Sequence, residues 1–413
     1  VDTLNGVIAI TSVAGYRALD LKLTATKDAD AAKDSPYNGK VLMQIACNQS
    51  YGELSVPAVV EEEGSCVTNS YLIGQLPAPR DARSQWEFFM QNNRLCAING
   101  PQFKYDFEVG EDAMHRYDPV YTPTTINISS IVDQCALLAG VLRGFVSRKS
   151  TDASGINGAV KISGAGNSVT FQATDGISNA VIGTLPVPVE IAEPFDLLLP
   201  VAQFESWKNL PKNVPVFMAV DAQHQLTLNV NNGAIKIQHN TLSNLLDNVE
   251  DVADFAAKFN AVETPEDFEE LKMSMKYSPE DLEYMVGSAT IYADSDPTII
   301  LTTDSVKKTA NIMVRTSVAD AQVDLNDINI IKHGNMSVNR SSLSLLNKLK
   351  LLRTKAPAPI PGPPPTADSA EKAAAPEKAS PQDQWMVMRI FEGVVMIGTP
   401  DASWIGITSE MSI

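Results

Sequence analysis

Three stretches of the chain alternate apolar and polar residues with the two-residue period of a half-buried strand, and turn residues interrupt each in the same way. They are Gln85–Val109, Val214–Gln238 and Gln384–Thr408, and each reads as strand, turn, strand, turn, strand. Asn92-Asn93, Asn99-Gly100, Asn232-Gly233 and Glu392-Gly393 mark the turns, because Asn and Gly tolerate the backbone angles a tight hairpin needs. A short amphipathic segment precedes each triplet: Thr68–Leu76, Pro200–Leu210 and Ser337–Leu352. In the last, Val338, Leu343, Leu345, Leu346, Leu349 and Leu352 approximate one helical stripe.

Upstream of each segment lies a further strand set, in Gly39–Val60, Gly158–Gly183 and Ala289–Arg315. Before these come helix candidates. Ile131–Val146 is the clearest. Ser278–Val286 has a Ser cap, a Pro at the first helical position and acids in the first turn, while Gly15–Leu23 is weaker. The pattern predicts an α+β protein built from one unit used three times, over residues 1–122, 123–250 and 251–413. Within the third, residues 355–384 are rich in Pro and Ala with one isoleucine and no aromatic until Trp385, a composition that cannot bury a core. That stretch reads as a flexible insertion, and the strand-like residues after it belong to the interrupted unit.

Composition narrows the chemistry. The 413 residues carry a net charge of −17, which excludes a protein that coats nucleic acid with its whole surface but not one that gathers its cations on one face. Cys47, Cys66, Cys96 and Cys135 lack CxxC spacing, so free thiols in a reducing, cytoplasmic setting are expected. The opening residues lack a basic signal-peptide region, and no run reaches the ~18 apolar residues of a membrane helix. His115, His224, His239 and His333 are scattered, so no metal site and no cofactor is expected. There is no GxSxG and no phosphate-binding loop, which argues against an enzyme. Asp175 and Asp304 each follow a strand and read as turns recurring at matching places in two units.

Three such units resemble the bacterial sliding clamp family, the β subunit of the replicative DNA polymerase. The residues that carry the resemblance are Thr125–Gly144, Phe171–Ala180 with its Ala-Thr-Asp-Gly, Leu199–Leu210, and the apolar Met411 and Ile413 at the end. Ile177 and Ser178 stand where the family has a His-Arg pair, and the tail lacks the family's proline and arginine. These departures fit a divergent, phage-borne member. The resemblance implies a homodimeric ring with helices lining a hole and antiparallel sheets outside. It implies double-stranded DNA as a sequence-independent partner, and a polymerase and clamp loader held through short apolar peptides. It places those peptides beside Thr174, Asp175, Gly176 and Ile177, with Met411 and Ile413.

A lining that attracts phosphates without gripping them needs Lys and Arg on outward helix faces. The candidates are Arg17 and Lys22, then Arg143, Arg148, Lys149, Lys208 and Lys212, then Arg340, Lys348, Lys350 and Arg353. The region Thr264–Met285 reads as helical and acidic, a linker helix outside such a lining. Two other functions stay open at this level: a β-rich viral assembly protein, and a polymerase accessory factor that does not encircle DNA.

Overall fold

The computed structural model describes residues 7–8, 20–29, 35–46, 50–77, 85–100, 103–111, 125–146, 156–221, 225–249, 251–262, 264–265, 268–291, 296–304, 306–315, 320–326, 328–353 and 384–411. It is a mixed α+β protein whose strand ladders are antiparallel. The chain forms two compact units. One comprises residues 1–139, 161–169 and 186–247, the other 140–160, 170–185 and 248–413.

In the first unit, one eight-stranded sheet runs in the order Gly64–Asn69, Asp20–Lys27, Gly39–Ala46, Ser50–Ala58, Ile235–His239, Leu226–Val230, Val216–Val220 and Thr125–Asn127. The first two strands of the second triplet bury every second residue, as their alternation requires: Val216, Met218 and Val220, then Leu226, Leu228 and Val230. Asn231, Asn232 and Gly233 take left-handed backbone angles in the turn that follows, with φ of 51°, 56° and 87°. A three-stranded sheet holds Glu87–Gln91, Arg94–Asn99 and Phe103–Glu108. The helices are α1 (Ser70–Gly74), α2 (Ser129–Leu142, which runs on into the second unit) and α3 (Val201–Ser206).

The second unit adds α4 (Ala253–Asn260), α5 (Pro279–Ala289) and α6 (Arg340–Asn347). The α5 start follows its sequence: the Ser278 hydroxyl accepts the Asp281 N–H at 3.3 Å and Pro279 opens the helix. The third triplet, Met386–Phe391, Val394–Gly398 and Trp404–Ser409, lies between Leu271–Tyr277 and Asn179–Gly183. Gly183 is indispensable here, since a Cβ would stand 2.0 Å from the Trp404 ring. A four-stranded sheet holds Asp320–Leu325, Thr309–Arg315, Thr298–Asp304 and Asn335–Asn339.

One backbone bond recurs three times. Gly110 donates to Val67 O at 2.8 Å, Leu242 to Leu198 O at 2.7 Å and Met411 to Ser337 O at 2.9 Å. Each acceptor stands three residues before the start of α1, α3 or α6. Strands are also handed on in a fixed way. The last strand of the second triplet pairs with Ser50–Leu54, and the last strand of the third with Asn179–Gly183.

Two expectations are corrected. Lys22 lies on the strand Asp20–Lys27, opposite Gln44 and Val67, not on a helix. Its neighbours Leu21 and Leu23 are the buried ones, a period of two rather than 3.6. Within Thr264–Met285, Leu271–Tyr277 is a strand that buries Leu271, Met273, Met275 and Tyr277 and exposes Lys272 and Lys276.

Candidate functional site

The turn after Thr174 is built around one carboxylate. Asp175 Oδ1 accepts the backbone N–H groups of Ile177, Ser178 and Asn179, each at 2.9 Å, and Oδ2 accepts Asn179 Nδ2 at 2.7 Å. Burial pushes its carboxyl up, but the donors from Asn179, Ser178 and Ile177 outweigh burial and hold it below the usual carboxylate range. Gly176 has φ +70°, and a Cβ there would meet the Asn157 side chain at 2.5 Å. The Thr174 hydroxyl accepts the Gly176 N–H at 3.0 Å. Ile177 projects outward, 80% exposed.

The C-terminal strand lies against this turn. Ser409 N–H donates to Ser178 O at 3.1 Å, and the Thr408 hydroxyl donates to Asn179 Oδ1 at 3.0 Å. Ser178, Asn179, Thr408 and Ser409 therefore form the seam; of these the sequence singles out only Ser178, as a departure from the family's His-Arg pair. Asn179 was visible there only as the residue after a turn. Met411 bonds to Ser337 instead, with the Thr298 hydroxyl 3.6 Å from its sulfur. Ile413 lies outside the described residues. Asp304 uses the same turn chemistry, accepting Val306 N–H at 2.8 Å and Lys307 N–H at 3.0 Å. Its place differs, however. The strand after Asp175 receives the third triplet, whereas the strand after Asp304, Thr309–Arg315, is interior to its own sheet.

The candidate cations are distributed as follows. Arg17, Arg148 and Lys149 lie outside the described residues. Arg143, just past α2, and Lys348, just past α6, are exposed, and Arg340 opens α6 half-buried. Lys208 pairs with Glu205 at 2.9 Å, and Lys212 Nζ donates to Val132 O at 3.2 Å. Lys350 pairs with Glu283, and Arg353 with Glu280 at 2.7 Å. The acids of α5 thus neutralise two cations beyond α6. The exposed positions of α2 include Asp133, Gln134 and Leu137, and those of α5 include Glu280, Glu283 and Tyr284. The helix faces are mixed in charge rather than uniformly cationic. Among the described residues, no cluster of metal-ligating side chains occurs and no helix is long and apolar enough to cross a membrane.

No protein-family model matches the sequence, and no curated protein matches it either. Solved structures match along its whole length. The DNA polymerase III subunit β of Pseudomonas aeruginosa superposes with a TM-score of 0.69 at 9% identity, over 99% of this chain and 97% of that one. The DNA polymerase sliding clamp of Bacillus subtilis gives 0.69 at 12% identity, over 100% and 96%. The DNA polymerase III β subunit of Thermotoga maritima gives 0.67 at 11% identity, over 100% and 97%. The chain has the fold of the bacterial β sliding clamps.

Proposed function

We propose that this chain is a DNA sliding clamp, a non-enzymatic processivity factor of the cytoplasm of a bacterium or an infected host cell. In this reading it has three repeats, divided near residues 122 and 250, and two copies close head to tail around duplex DNA. A polymerase and a clamp loader dock through short apolar peptides at Thr174–Ile177 beside the C-terminal strand.

The observation that carries the reading is the handover of strands. The second triplet ends on the last strand of the first set, Ser50–Ala58, and the third triplet ends on the last strand of the second set, at Asn179–Gly183. The rule leaves two ends over. Phe103–Glu108, the last strand of the first triplet, and Asp320–Leu325, the strand that follows the third set, are both end strands of their sheets. Pairing one copy's first with the other copy's second continues the same rule and removes both open edges. In this reading phosphates are met by cations at helix ends, Arg143, Arg340 and Lys348 among them, together with Arg148 and Lys149. Weak phosphate contacts of this kind permit sliding.

Sedimentation should give a discrete particle of twice the 44.6 kDa chain. After loading by the cognate loader, the chain should stay on closed circular DNA and leave linear DNA by its ends. A monomer, or equal loss from both DNAs, would end this reading.

A further inference from the structure

The apolar surface beside the candidate groove is already covered by the chain itself. Val252, Phe255, Ala256, Phe259 and Val262 share one face of α4 and its flanks, and they pack on the sheet against Ala180, Ile182, Ile405, Ile407 and Met396. The receiving residues form a ladder in which Ala180 faces Ile407 and Ile182 faces Ile405. That ladder begins one residue beyond the Asn179–Thr408 pair of the turn. The covered surface therefore starts where the candidate groove ends.

The sheet holds a shaped seat for this segment. Gly398 leaves the slot for the Phe259 ring, since a Cβ there would stand 2.6 Å from it. The Arg389 guanidinium lies 4.6 Å from the same ring centre and donates to Phe259 O and, at 3.2 Å, to Val262 O. Phe259 O is a last-turn carbonyl of α4, and Val262 O lies just past the helix end. Lys258 sits over the Phe391 ring at 4.9 Å and pairs with Glu270.

Fewer of the side chains of α4 are buried than of the strands beneath it. α4 has eight residues, and a helix that short does not persist alone in water. Phe259 is its one fully buried side chain, while Ala253, Asp254, Ala257 and Asn260 face solvent. The ladders of the strands below run from strand to strand and include no residue of α4.

We propose that Val252–Val262 is a displaceable strap that regulates the partner groove. Docked, it occupies the apolar ladder that continues from the Thr174–Asn179 turn. Lifted, it opens that ladder to the apolar peptide of a partner. The proposal rests on the reading of that turn as the partner groove.

Three measurements on the full chain test it. In wild-type hydrogen exchange, amides of residues 256–262 should exchange about a hundredfold faster than those of Met386–Phe391 and Trp404–Ser409, through local opening. Exchange of both at one rate would overturn the strap. A fluorescein-labelled peptide of residues 252–262 should bind the Phe255→Ser, Phe259→Ser double variant about tenfold tighter than wild type, read by anisotropy. Equal binding would overturn the seat. The cognate polymerase should bind the double variant about tenfold tighter than wild type in surface plasmon resonance. Equal affinity would overturn the regulation. A polymerase that binds neither form would remove the groove reading and the regulation with it, and the peptide measurement would still report on the seat.

Discussion

The backbone N–H of Met411 donates to the carbonyl of Ser337 at 2.9 Å, and the Met411 carbonyl accepts the Ser337 hydroxyl. One residue earlier, Glu410 N–H donates to Gly393 O at 2.8 Å. Met411 is thus stitched to the strand that feeds α6. Removing Glu410–Ile413 should lower unfolding free energy by about 1–3 kcal/mol, the loss of a few hydrogen bonds. Urea unfolding reads this. Unchanged stability would mean these bonds add nothing to the fold.

His239 should make stability pH-dependent. It is fully buried, 2.8 Å from the Ser50 hydroxyl through Nδ1, and its Nε2 accepts the Trp207 indole N–H at 3.2 Å. Only the neutral ring fits, because a proton on Nε2 would face the indole donor. Burial pushes its pKa down from 6.5 to about 3. The folded state then binds fewer protons than the unfolded chain between those values. The contribution is complete above pH 6.5 and is lost as pH falls toward 3. The slope should approach ~1.4 kcal/mol per pH unit. Urea midpoints at pH 7 and pH 5 should differ in wild type and differ less in His239→Gln; equal shifts would clear His239.

The Asp175 turn should depend on its carboxylate rather than on its shape alone. Asp175→Ala strands three backbone N–H groups at the edge of the seam. It should cost about 1–3 kcal/mol, with Asp175→Asn milder because its amide oxygen still accepts. Thermal melting distinguishes the two. Melting of the Ala variant at the wild-type temperature would show that solvent replaces the carboxylate.

Deleting Ala356–Ser380 should leave folding and self-association intact. The composition argues this, since long surface connections add little closure entropy and these residues offer no core. A lower melting temperature for the deletion would reveal an ordered element in that stretch.

Leu226–Val230 was legible because its period-two alternation agrees with the Asn231-Asn232-Gly233 turn that follows it. Leu271–Tyr277 was legible in principle, for Leu-Lys-Met-Ser-Met-Lys-Tyr alternates cleanly, but the acids around it drew the reading toward a helix. The strap was hidden the same way: Val252, Phe255, Phe259 and Val262 keep helical spacing inside a stretch that looks merely acidic. The electrostatics were not legible at all. Glu283 and Lys350, and Glu280 and Arg353, are 67 and 73 residues apart and meet only when α5 and the end of α6 are folded. Counting cations along a helix cannot reveal which of them are already spent on an internal acid.

The seam at which Ile235–His239 joins Ser50–Leu54 bears on how such a chain can be cut or recombined. A piece spanning residues 123–250 would carry two bare strand edges, one at Ile235–His239 and one at Asn179–Gly183, each normally covered by residues outside the piece. Ile235 and Ile237 on the first are almost wholly buried in the intact chain. Such edges recruit other edges, so the excised piece should aggregate rather than fold alone. A repeat transplanted into another protein would need its host to supply matching edges on both sides. Residues 123–250 supply four strands of the eight-stranded sheet and two of the seven-stranded one, so the piece is a part of both sheets and the whole of neither.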